Sequence, residues 1–120
     1  MNARQEILDI IEATGFPCWR MHEMPADAIY PDSFFTYLCE SATFAEHYDN
    51  RPRAVVWTFA VGFYSNNPHT VESETGALVE RLLSAGWTID GPGEDVESDE
   101  PTHTGRRITA YKIDYSESEE

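Results

Sequence analysis

The chain has 120 residues, with 8 Lys and Arg against 22 Asp and Glu, which gives a formal net charge of -14 at pH 7. This charge argues against a nucleic-acid-binding protein, which needs a basic stripe for phosphates, and against docking on an anionic membrane. The length suits one domain, and apolar residues, 41% of the chain, suffice for one core. The negative charge can keep the protein soluble, attract a basic partner, or repel nucleic acid that has to pass the protein surface without binding.

The two cysteines, Cys18 and Cys39, are too few for a disulfide framework in a chain of this length. The first residues are polar and amphipathic, unlike the apolar centre of a signal peptide. No apolar run reaches the roughly 18 residues that a membrane-spanning helix needs. We therefore expect no membrane segment and a protein made in a reducing cytoplasm.

The first predicted element is a helix over residues 2–14. Ile7, Ile10 and Ile11 recur at helical spacing on one face. Asn2 is suited to cap its start, and Gly15 is suited to end it in a left-handed turn.

Two strands are predicted after this helix. Residues 17–22 form a short strand candidate, and residues 24–33 read as a loop with two prolines. Residues 34–40, FFTYLCE, carry apolar side chains on both parities, which predicts a strand covered on both faces. Residues 41–53 are polar and contain Asp49, Asn50 and Pro52 as turn residues.

Residues 54–65, AVVWTFAVGFYS, predict the long central strand, because one parity is bulky and the other is mostly small. The bulky side chains are expected beneath both helices. Thr58, Ala60 and Gly62 then face away from the helices, where a monomer would more naturally place charges. Small neutral residues suggest close approach by another sheet, a neighbouring subunit or a folded-back acidic hairpin. We predict these three residues as a candidate subunit interface.

The second helix is predicted to begin near Pro68, with Ser65 or Asn67 as its cap. Val71, Leu78, Leu82 and Leu83 give its apolar side, and Gly86 ends it before a short strand at residues 87–90.

Residues 91–101, GPGEDVESDEP, can bury little and predict a mobile acidic loop or a long hairpin tip. Residues 106–115 predict the last strand, with Tyr111 and Ile113 on its core side. Residues 116–120 are expected to form a disordered acidic tail.

The sequence thus predicts a single α+β domain over residues 1–115. Its mostly antiparallel sheet has about four to five strands, with both helices packed on one face. The predicted core is Ile7, Ile11, Phe35, Tyr37, Val55, Trp57, Phe59, Val61, Phe63, Leu78, Leu82, Tyr111 and Ile113.

No catalytic or metal site is predicted. Cys18 and His22 are four residues apart, about 13 Å on a strand, and could not share one zinc ion. Cys39 with His47 or His22 is a Cys–His pair without supporting context. The chain lacks a G-x-S-x-G elbow, a phosphate-binding loop and a calcium-loop pattern. We expect no enzyme activity and no cofactor.

The order of elements resembles the small tail-completion and tail-terminator proteins of long-tailed phages and prophages, including minor tail and head–tail joining proteins. The resemblance is carried by residues 35–37, FTY, by Asp49-Asn50 and by the stretch from Val61 to Glu72. It implies a ring, commonly a hexamer, on the last ring of the tail tube, where it stops tube growth. It also implies contacts with the major tail-tube protein and a head-completion or connector protein. Such a protein belongs to the virion tail and to the host cytoplasm during assembly, and it binds no nucleic acid sequence-specifically.

The acidic stretch gives a further hypothesis, in which its carboxylates face the lumen or the axis of the ring; the alternative is a solvated loop. The residues are Glu94, Asp95, Glu97, Asp99 and Glu100. Two other classes of function remain open from the sequence. One is an acidic inhibitor or DNA mimic that occupies a basic site on a host protein. The other is a small enzyme, which would need a concave pocket with convergent polar groups.

Overall fold

A computed structural model of the chain describes residues 3–20, 31–48, 51–91, 93–98 and 102–115. The elements in chain order are α1 (Ala3–Glu12), β1 (Cys18–Arg20), β2 (Ser33–Tyr48), β3 (Arg51–Ser65), α2 (Pro68–Ser84), β4 (Thr88–Ile89), β5 (Glu94–Glu97) and β6 (Thr104–Tyr115). The strands form one sheet in the order β1-β2-β3-β6-β4, with β5 also paired to β6. Among the strands of the described residues, β1–β2 is the one parallel pairing. The predicted α+β architecture is confirmed, with six strands in the part of the chain that the structure describes.

The β2–β3 hairpin is much longer than predicted. We predicted a strand over residues 34–40 and a polar stretch over 41–53, but β2 runs on to Tyr48 and β3 begins at Arg51. Thr43 pairs with Val56, and the register shifts at bulges such as the one between Cys39 and Ser41. Polar residues form strand here because β3 supplies the backbone hydrogen bonds. The predicted turn residues Asp49 and Asn50 lie outside the described residues.

Local sequence signals account for both helices. The Asn67 side chain accepts a hydrogen bond from the His69 amide at 3.0 Å, as a capping residue should, and Pro68 takes the first helical position. Gly15, after α1, has the positive φ of 86° that a left-handed turn requires. Asn2, the predicted cap of α1, lies outside the described residues. The amide of Ala3 instead donates to the Asp114 carboxylate at 3.0 Å, which ties the start of α1 to β6.

Most of the predicted core is confirmed. Both helices pack on the sheet face that carries the bulky parity of β3. Ile7, Ile11, Phe35, Phe59, Val61, Phe63, Leu78 and Leu82 are buried. Tyr37 and Trp57 are half-buried against that cluster, and Val55 is half-buried. The structure adds Ala3, Val71, Trp87, Ile108 and Ala110 to the core.

Tyr111 and Ile113 are the wrong part of the predicted core. Their side chains are 38% and 43% exposed, on the sheet face away from the helices. Tyr111 pairs with Thr58 and Ile113 with Val56, and directly opposed residues point to the same face. The register of β6 against β3 therefore gives the core side to Ile108 and Ala110 instead.

A polar cluster joins α1, β6 and the segment after α2. One carboxylate oxygen of Glu6 accepts hydrogen bonds from the Trp87 indole at 2.8 Å and from the Lys112 ammonium at 2.6 Å. Lys112 also donates to the Ala85 carbonyl at 2.8 Å, which satisfies a carbonyl at the end of α2. Because the side chains of Glu6 and Lys112 are only 29% and 26% exposed, water compensates poorly for a lost partner.

Lys112→Met should lower the free energy of unfolding by about 1–3 kcal/mol, because the Glu6 carboxylate and the Ala85 carbonyl lose a charged donor while the side-chain length is kept. Chemical denaturation followed by circular dichroism measures the change. Arg4→Met is the matched control: it removes the same charge from an exposed position of α1 and should cost less than about 0.5 kcal/mol. Equal midpoints for the two variants would contradict the structural role of Lys112.

Candidate interaction surface

The sheet face opposite the helices, here the open face, holds all three predicted interface residues. Thr58 is half-buried, but Gly62 is buried and Ala60 is 1% exposed within the single chain. A β-carbon added at Gly62 would lie 3.1 Å from the Thr36 hydroxyl and 3.3 Å from the ring of Tyr64. Neighbours in the same sheet therefore crowd Gly62. Of the three predicted interface residues, only Thr58 is accessible to a partner that covers this face.

An aromatic cluster occupies one end of the open face. The rings of Phe34 and Tyr64 stack with centroids 5.2 Å apart, and Trp19 meets Phe34 edge-on at 5.7 Å. His103 lies 6.0 Å from Phe34, and its Nε2 hydrogen-bonds with the Pro31 carbonyl at 2.8 Å. Phe34 and His103 are both buried, so the protein's own side chains close this end.

The other end of the open face is accessible and uncharged. We name its residues the open-face patch: Thr43, Val56, Thr58, Thr88, Tyr111 and Ile113. Thr43, Thr88, Tyr111 and Ile113 are exposed, and the other two are half-buried. Cross-strand pairing brings them together, because Val56 is opposite both Thr43 and Ile113, and Tyr111 is opposite both Thr58 and Thr88.

Charges border the open-face patch without entering it. Glu40 is exposed at the bulge beside Ser41, outside the paired register. On β6, the next ionisable side chain of the same parity is Arg107, about 13 Å along the strand from Tyr111. The Arg107 guanidinium forms an ion pair with the Glu94 carboxylate, with an N–O distance of 3.1 Å. The acidic residues next to the patch are Glu46, which is opposite Ala54, and the exposed Asp90, two residues after Thr88.

The acidic stretch is partly a strand. Residues 94–97 form β5, paired with β6, so they are an arm of a hairpin, neither the mobile loop nor the hairpin tip that the sequence predicts. Besides the Glu94–Arg107 ion pair, the Asp95 carboxylate forms an ion pair with the Arg106 guanidinium, with an N–O distance of 2.9 Å. Such exposed pairs contribute about 0–1 kcal/mol each, but they occupy the two carboxylates. Glu97 is exposed on β5, and Asp99 and Glu100 lie outside the described residues.

An open groove lies between the start of α2 and the β5–β6 hairpin. Its volume is about 400 Å³, and its lining includes His69, Glu72, Asp95 and Arg106. His69, Glu72 and Asp95 are exposed, and the Asp95 carboxylate is held by Arg106. The groove therefore brings an imidazole and carboxylates together in solvent, without the buried, differing environments that separate an acid from a base.

The cysteines act as half-buried packing residues in the described structure. Cys18 and Cys39 are free thiols that pack against the core cluster. Burial raises the pKa of the Cys18 thiol from its ordinary 9.0 to about 11, and the Glu12 carboxylate adds to the effect. Cys18 is therefore a protonated thiol at neutral pH, which is the opposite of an activated nucleophile. His22 lies outside the described residues, within which no group of three metal-ligating side chains occurs.

Alkylation of Cys18 should be slow in the native protein. In a Cys39→Ser variant near neutral pH, the raised pKa leaves about a hundredfold less thiolate than an ordinary cysteine has. The rate of reaction with iodoacetamide should rise at least by that factor when the same variant is unfolded in concentrated urea. Because the folded pKa is the higher one, the native rate should keep climbing with pH beyond 9.0, where an ordinary thiol levels off. A native rate equal to the unfolded rate would show that Cys18 is not buried.

Neither protein-family models nor curated proteins match the chain. Within the described residues, no helix is long and apolar enough to cross a membrane.

Proposed function

We propose that the chain is a structural subunit of a phage or prophage tail, acting as a tail-completion or tail-terminator protein at the head-proximal end of the tail tube. The open-face patch carries the proposal, since an accessible, uncharged sheet surface on a highly acidic chain suits a protein contact better than contact with water. The order of elements, which resembles that of tail-completion and tail-terminator proteins, also supports the proposal.

A ring subunit needs contacts that repeat by rotation until they close. The β2–β3 hairpin supports such a role, because β2 has 16 residues and β3 has 15. Among the described residues, the pairing of β3 with β6 ends at Ala54, and the hairpin continues beyond this point. It offers a second surface besides the open-face patch. We propose the tail-tube protein and a head-completion or connector protein as the flanking partners.

The charge suits a passage for DNA. A surface that lets DNA pass without binding it should repel phosphate, and the net charge of -14 provides repulsion. Glu94 and Asp95 contribute less to such a lumen than the sequence suggests, because arginines of the same chain neutralise them. We propose no enzymatic activity and no cofactor for this role.

An acidic inhibitor or DNA mimic is the second candidate, favoured by the net charge alone. A mimic has to present free carboxylates to a basic site, whereas Glu94 and Asp95 are already paired with Arg107 and Arg106. Recovery of a DNA-binding enzyme in a pull-down, lost when the acids of residues 94–100 become Asn and Gln, would favour the mimic.

Electron microscopy of particles made without this protein tests the tail proposal. Loss of a terminator should give overlong tail tubes, and loss of a joining protein should give tails of normal length with unattached heads. Complementation with the intact chain should restore both. Normal, joined particles in its absence would overturn the proposal. A gene position between the head-completion and tail-tube genes is expected.

A further inference from the structure

We draw no further inference here: the strongest candidate, the open groove between the start of α2 and the β5–β6 hairpin, sets the exposed carboxylates of Glu72 and Asp95 against the Arg106 guanidinium and the positive end of the α2 dipole, so that its mixed charges select no ligand.

Discussion

Phe59→Ala is expected to lower the free energy of unfolding by about 3–5 kcal/mol, the usual cost of removing a buried aromatic side chain. Phe59 is 1% exposed at the centre of β3, and its ring meets Trp87 edge-on with centroids 6.1 Å apart. Truncation leaves a cavity between the sheet and the helices that close packing cannot refill. Urea denaturation followed by tryptophan fluorescence and circular dichroism measures the loss.

Tyr111→Ala is the control for Phe59→Ala. It also truncates an aromatic residue on a central strand, but on the open face, where Tyr111 is 38% exposed. We expect a loss of less than about 1.5 kcal/mol at protein concentrations where the chain is monomeric, because only part of the side chain is buried. A larger loss for Tyr111→Ala than for Phe59→Ala would reverse the assignment of the two faces.

Gly105→Ala is expected to destabilise the protein by about 1–3 kcal/mol through overpacking. A β-carbon at Gly105 would lie 2.5 Å from two ring carbons of Tyr64 and 3.0 Å from Val96. Tyr64 cannot move freely, because its ring stacks on the buried Phe34. The added methyl group therefore has to displace the aromatic cluster or the β5 strand. Thermal or chemical unfolding measures the effect.

A double-mutant cycle with Tyr64→Ala isolates this clash. Tyr64→Ala removes the ring that stands over Gly105, so Gly105→Ala should then cost much less than in the native background. We expect a coupling of about 1–2 kcal/mol between the two positions. Gly76→Ala, at an exposed helical position with open space around it, is the control and should stabilise the protein slightly. Equal costs of Gly105→Ala in both backgrounds would show that Tyr64 is not the obstacle.

Elements with a strong local pattern could be predicted from the sequence. The isoleucines of α1 recur at helical spacing, and Ile7 and Ile11 are fully buried. Asn67 and Pro68 mark the start of α2 through a side-chain cap and a preset backbone angle. In β3, heavy and light residues alternate, so the parity that faces the core could be read directly and Phe59 was assigned correctly.

Elements whose state depends on a partner elsewhere in the fold could not be predicted. Apolar residues stand on both parities of β6, as Ile108 and Ala110 on one and Tyr111 and Ile113 on the other. The stretch from Ser41 to Tyr48 mixes four apolar residues with four polar ones and forms a strand because β3 pairs with it. The same holds for residues 94–97, which pair with β6. Glu6 and Lys112 gave no sequence signal either, since they are 106 positions apart.

The sequence by itself determined the fold class, both helices and the core face of β3, because these follow from periodicity and capping within a dozen residues. Tertiary structure alone decided which face of β6 is buried, and so placed Tyr111 and Ile113 on an accessible surface. The physical reason is that strand register is set by pairing between residues far apart in the chain, and a shift of one residue reverses the two faces. The open-face patch therefore exists only in the folded sheet, where β2, β3, β4 and β6 bring its six residues together.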